Sequence, residues 1–155
     1  MPSGTPTPVE QRVFPARRAS LTDVAAFIED FVTRHGIDPS LALKLTLVLE
    51  ELVTNTIEHG FGTENDAPIR VSLTASDPRS VSLMFEDSAP PFDPLTHLAQ
   101  RTSAVHDSFG ARPLGGIGIH LVRSLASAAC YAYVDGGNRL RLTLSMDGAS
   151  SRVSG

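Results

Sequence analysis

The stretch DPSLALKLTLVLEELVTNTIEHGFG, residues 38–62, constrains the rest of the chain most, because it reads as one long helix with marked ends. Asp38 can accept from the orphan N–H groups of a first turn, and Pro39 follows where a missing N–H costs nothing. Gly60 and Gly62 supply the left-handed backbone that ends a helix. In between, Leu41, Leu45, Val48, Leu49, Leu52, Val53 and Ile57 recur at i, i+3, i+4 spacing and write an apolar face. At roughly 100° per residue, Lys44, Glu51, Asn55 and Glu58 fall on one stripe, with His59 at its edge. Such a stripe is ordinarily the solvated face of an amphipathic helix, so Glu51 and Asn55 gain a function only from what else the chain brings to them.

The other segments supply a cover for the apolar face. Val9 to Phe14 reads as a short strand ending at Pro15; Ser20 then caps a helix whose Leu21, Val24, Phe27, Ile28, Phe31 and Val32 repeat with helical period up to Gly36. Ile69, Val71 and Leu73, then Val81, Leu83 and Phe85, alternate with polar residues around the turn Asp77-Pro78-Arg79-Ser80, which predicts two antiparallel strands with one face on a core. Ile117 to Ala129 returns to helical spacing, and Tyr131–Val134 with Leu140–Leu144 flank the hairpin signal Asp135-Gly136-Gly137-Asn138. The expected class is α+β, a two-layer α/β sandwich with a mostly antiparallel mixed sheet and helices on one face. Residues 9–145 are expected to form a single domain, and residues 1–8 and 147–155, small and polar, flexible tails.

Charge and composition remove several function classes. With a net charge of −4 and no Lys/Arg run beyond Arg17-Arg18, no nucleic-acid or anionic-membrane partner is expected, since both need clustered positive charge. A single cysteine, Cys130, permits no intrachain disulfide and no cysteine metal cluster, and its expected place is the core. The start MPSGTPTPVEQR lacks the basic and apolar regions of a signal peptide, and no apolar run has bilayer length, so a soluble cytoplasmic protein is expected.

Three constellations can carry chemistry. Glu51 and Asn55, one helical turn apart, offer a general base and a neutral oxygen ligand suited to hydrated Mg²⁺. Asp87 ends a predicted strand before Ser88-Ala89-Pro90-Pro91-Phe92, where its carboxylate can accept from a ligand's amino group or simply cap an Asx turn; Asp93 before Pro94 reads as a turn residue. Gly115, Gly116 and Gly118 open a predicted helix, so backbone N–H groups and the helix dipole can meet an anion there. The segment between Asp87 and Gly118 is too long and too rich in Pro and Gly for a passive connection.

In this order the motifs resemble the nucleotide pocket of the GHKL ATPases: Glu-x-x-x-Asn on a helix, Asp in a Pro-rich loop after a strand, and Gly-x-Gly before another helix. The wording Glu51-Leu52-Val53-Thr54-Asn55, His59-Gly60-Phe61, Asp87-Ser88-Ala89-Pro90-Pro91-Phe92-Asp93-Pro94 and Gly115-Gly116-Ile117-Gly118 is similar to bacterial anti-sigma serine/threonine kinases of the RsbW and SpoIIAB type. That resemblance implies an ATP-dependent protein kinase. Glu51 would take the proton from a substrate hydroxyl, Asn55 would hold Mg²⁺, and Asp87 would bind the adenine amino group. Gly115, Gly116 and Gly118 would wrap the triphosphate, and residues 94–114 would form a lid with Arg112 as a phosphate contact.

The implied partners are a STAS-domain anti-anti-sigma protein, which it would phosphorylate, and a sigma factor, which it would sequester, with a homodimer as the assembly. The alternative is a non-catalytic, nucleotide-gated protein-binding switch of the same fold. It is motivated by Ala89, which stands where the family's adenine loop commonly has glycine. A left-handed backbone there would cost Ala about 1 kcal/mol. His59 and His120 have no metal-ligand spacing with other His or Cys residues, and are expected to be structural or at the pocket rim.

Overall fold

The structure, a computed structural model, describes residues 7–93 and 125–146. Strand β1 (Glu10–Pro15) leads into helix α1 (Ser20–His35) and helix α2 (Pro39–Asn55), whose last turn widens into a π-helical segment, Thr56–Phe61. Strands β2 (Pro68–Asp77), β3 (Ser80–Asp87), β4 (Ala126–Val134) and β5 (Gly137–Ser145) complete the described elements. The five strands form one sheet in the order β1-β2-β3-β5-β4, antiparallel at every described pairing. This is the α+β sandwich expected from the alternating patterns.

The layers meet where periodicity predicts. Leu41, Leu45, Val48, Leu49, Leu52 and Val53 of α2 are buried against the alternate sheet residues Ile69, Val71, Leu73, Leu83, Leu140 and Leu142. Val24, Phe27, Ile28 and Phe31 of α1 join the same core. Full burial of each such side chain contributes about 1.5–3 kcal/mol.

The ends of α2 show why it begins and stops. Asp38 accepts a hydrogen bond from the backbone N–H of Ser40 at 2.9 Å, ahead of Pro39. The stretch does not stay α-helical to its glycines: from Thr56 it is π-helical, and it terminates at Gly62, which takes φ 78°. Wider turns of this kind recur at functional sites because they re-aim side chains.

Three expectations are corrected. Ser20 does not cap α1; the N-cap is Ala19, and the Ser20 hydroxyl donates to the Pro15 carbonyl at 2.7 Å, tying the helix start to the end of β1. The helix expected over 117–129 cannot reach Ala129, because Ala126–Val134 is strand β4, paired along β5. Small residues at 126–130 satisfy helical and extended patterns alike, and the pairing with β5 decides between them. Cys130 is exposed on β4 rather than buried in the core. The hairpin that follows is as expected: Val134 pairs with Gly137, and Asp135 and Gly136 take φ 52° and 77°, the two left-handed positions of a type I′ turn. No described helix is long and apolar enough to cross a membrane.

Candidate nucleotide site

The end of α2, the π-helical turn, the end of β3 and the start of β5 converge on one cleft. Leu52, Phe85 and Leu140 give it an apolar floor, and Asn55, Thr56, Asp87 and Asn138 give it polar walls.

Glu51 and Asn55 do not lie on a solvated face. Asn55 is only 2% exposed, and neither of its amide atoms has a hydrogen-bond partner among the described residues. The same holds for Oε2 of the half-buried Glu51. Leaving a buried polar atom without a partner costs about 1–3 kcal/mol, so a helix with no use for these groups would carry them at a loss. Burial raises the Glu51 carboxyl above its ordinary value of 4.5, and the negative charges of Glu50 and Glu58 raise it further. A carboxylate moved toward neutral pH in this way is a better base than an exposed one.

These groups also fit an Mg²⁺ ion. No described cluster of three or more His, Cys, Asp or Glu could cage a metal. A single amide oxygen on Asn55 is instead the sparse protein ligation that Mg²⁺ accepts when phosphates and waters complete its octahedron.

Asp87 is held from three sides. Its Oδ2 accepts from the Thr56 hydroxyl at 3.0 Å; its Oδ1 accepts from the Ala89 N–H at 3.0 Å and from Asn138 Nδ2 at 2.8 Å. The Asx turn and the ligand-facing role are therefore compatible, because the turn uses one oxygen and leaves the other a lone pair toward the cleft. Ala89 is fully buried and does not take positive φ. The cost expected from a non-glycine residue in a left-handed turn does not arise. Its methyl group packs where Gly60 lacks one: a Cβ on Gly60 would stand 3.1 Å from the Ala89 Cβ.

Thr56, Tyr131 and Asn138 are site residues that motif reading passed over. Asn138 is a polar residue in phase with the core-facing Leu140, Leu142 and Leu144, and that break in the pattern is the signal that could have revealed it. Gly137 beside it lets the hairpin sit flush on β3, since a Cβ there would come within 2.6 Å of the Asp87 carbonyl oxygen. Gly137→Ala is expected to lower stability by about 1–3 kcal/mol as the two backbones are forced apart. Thermal unfolding checks this as a fall in Tm of about 2–4 °C per kcal/mol.

At the rim, the His59 ring stacks on Phe92 with centroids 6.2 Å apart, which fits the rim position expected for His59. Glu58 turns outward to pair with Arg18 at 2.8 Å. Arg112, Gly115, Gly116, Gly118 and His120, the lid expected over 94–114, and most of both tails lie outside the described residues.

An α+β sandwich whose helix-borne Asn55 shares a cleft with the strand-end Asp87, with Glu51 one helical turn before Asn55, has the layout of a GHKL-type ATP-binding domain. Residues 14–144 match the histidine kinase-like ATPase domain, and the chain belongs to that family. It is 32% identical over 122 residues to the serine/threonine-protein kinase BtrW of Bordetella bronchiseptica, covering 79% of this chain and 83% of BtrW. Among solved structures it resembles the RsbU and RsbW domains of Rv1364c from Mycobacterium tuberculosis, with TM-score 0.61 and 20% identity over 91% of this chain. The chain spans about a third (33%) of that polypeptide. A chain of the SiaB-SiaC complex from Pseudomonas aeruginosa gives TM-score 0.53 at 14% identity, covering 87% of this chain and 88% of its own. Both structures share the fold.

Proposed function

We propose that this protein is an ATP-dependent serine/threonine protein kinase that acts as an anti-sigma factor, phosphorylating a STAS-domain anti-anti-sigma protein and otherwise sequestering a sigma factor. One observation carries the reading: a buried Asn55, whose amide has no hydrogen-bond partner among the described residues, lines the same cleft as an Asp87 carboxylate fixed by three donors, and the half-buried Glu51, its Oε2 equally without a partner among those residues, stands one helical turn before it. The 32% identity to BtrW, named a serine/threonine-protein kinase, supports the choice of acceptor, and the SiaB-SiaC complex is a precedent for this fold engaging a second protein. The working unit in this reading is residues 9–145, in a cytoplasmic homodimer.

In this mechanism Asp87 accepts a hydrogen bond from the adenine amino group, with Thr56 and Asn138 holding its carboxylate in place. Glu51 takes the proton from the attacking serine or threonine hydroxyl, and its raised pKa favours that transfer. Asn55 would hold Mg²⁺, which when bound neutralises charge developing on the phosphates. Gly115, Gly116, Gly118 and Arg112 remain assigned to the phosphates by motif alone.

The alternative, a nucleotide-gated switch without phosphotransfer, was motivated by Ala89, and its backbone takes no positive φ. Incubation with γ-labelled ATP and STAS-domain proteins from the same organism separates the two. Label on a STAS serine or threonine supports the kinase; nucleotide binding without transfer to any of them supports the switch.

The pH profile gives a second check. Glu51 works as a base only when deprotonated, so transfer is expected to fall on the acid side through the raised Glu51 pKa, above the ordinary 4.5. Glu50→Gln removes a negative neighbour, lowers the Glu51 pKa, and should move that acid limb to lower pH. An unmoved limb would assign it to another group.

A further inference from the structure

We infer that Asn138 and Tyr131 form a latch that fixes the loop after Asp87, and that this latch, rather than a glycine in the loop, sets the site's preference for a 6-aminopurine. The inference rests on the nucleotide reading above and adds positioning residues to it. Asn138 spans the gap between β5 and the loop, and is 7% exposed. Its Nδ2 lies 2.8 Å from Asp87 Oδ1, 3.1 Å from the Ala89 carbonyl and 3.0 Å from the Pro90 carbonyl, so two protons serve three acceptors. Its Oδ1 accepts from the Phe92 N–H at 2.9 Å and from the Tyr131 hydroxyl. Tyr131 Oη is itself 3.2 Å from the Phe92 N–H, and burial holds the phenol pKa above its ordinary value, so it stays protonated and able to donate.

Every polar function of the Asn138 amide is thus spent on the protein. It therefore acts on the base only through Asp87 and the loop, which makes it a positioning residue. Held by Asn138, Ala89 and Thr56, the Asp87 carboxylate is a fixed acceptor. A 6-amino group donates to it, whereas a 6-oxo group meets oxygen against oxygen. With the latch cut, the carboxylate can swing aside. The amine then loses its partner and the oxo group loses its repulsion.

The test is titration of the full chain with ADP and with IDP, its 6-oxo counterpart, alongside hydrogen exchange at the Phe92 amide without nucleotide. Asn138→Ala is expected to weaken ADP binding about tenfold or more while IDP binding changes little, narrowing the preference. Tyr131→Phe keeps the ring packing and loses one hydroxyl; it should shift the preference in the same direction by less, which keeps the test open if Asn138→Ala unfolds. Phe92 exchange should be slow in the wild type and faster in both variants.

Equal losses for ADP and IDP, or slow Phe92 exchange retained in both variants, would overturn the latch. Wild-type ADP binding that Asp87→Asn loses but Asn138→Ala keeps would also overturn the latch while leaving the nucleotide reading intact. A wild type that binds no ADP, or an Asp87→Asn variant that binds it equally well, would overturn the nucleotide reading and the inference with it.

Discussion

Replacing Glu51 with Gln is expected to slow phosphoryl transfer by about 10²- to 10⁴-fold, the usual contribution of a positioned general base. Nucleotide affinity should hardly change, because the proposed mechanism gives Glu51 the substrate hydroxyl and assigns it no contact with the base or ribose. The substitution keeps the side chain's size and removes a charge that burial disfavours. A second, opposite effect follows from that. A carboxyl whose pKa is raised on folding destabilises the fold when ionised: the penalty is absent below the unfolded value, grows as pH rises through the folded value, and is constant above it. Glu51→Gln should therefore have a higher Tm than the wild type at neutral pH, with the gap closing near pH 4.5 and below. A gain in stability with a loss of transfer is the signature of a functional group kept at a cost. Unchanged transfer would contradict the base role, and a lowered Tm at neutral pH would contradict the burial penalty on the ionised carboxyl.

The second large effect is at Asp87. Asp87→Asn leaves an amide oxygen for the Ala89 N–H and Asn138, but turns an NH₂ toward the cleft, where the adenine amino group would meet a donor instead of an acceptor. Loss of a hydrogen bond to a charged group costs about 1.5–3 kcal/mol, so ADP affinity should fall about 10- to 100-fold, measurable by isothermal titration. Glu51→Gln loses transfer and keeps binding, whereas Asp87→Asn loses binding. An arrangement in which both groups were surface polar residues would show neither effect.

What could be read from the sequence follows from how local each signal is. The α2 cap at Asp38, the Asp77–Ser80 turn and the Asp135-Gly136 hairpin are written in a few adjacent residues, and each is where it was expected. The strands β2, β3 and β5 were legible because one face of each is buried and the other is not. Strand β4 was legible only from Tyr131 onward, since its run of alanines and Cys130 lacks alternation and lies at an edge of the sheet.

In the site, Glu51 and Asn55 could be placed on one stripe by helical spacing, but helical spacing carries no information about what faces it. Asn55 is buried and lines a cleft with residues far away in sequence, Asp87 and Asn138 among them. The π-helical turn left no local mark, and the polar break at Asn138 in the apolar face of β5 did not say which partners it would find about fifty residues earlier. The left-handed backbone considered for Ala89 was a local inference from the adenine loop of the family, and Ala89 takes no positive φ.

The proposed function requires that this cleft bind ATP, with Mg²⁺ held at Asn55. The decisive experiment is isothermal titration with a non-hydrolysable ATP analogue, with and without Mg²⁺, in the wild type and in Asn55→Ala. Mg²⁺ is expected to strengthen binding in the wild type, and this effect should disappear in Asn55→Ala while the variant stays folded. Binding that ignores Mg²⁺, or an Mg²⁺ effect of the same size in Asn55→Ala, would contradict it.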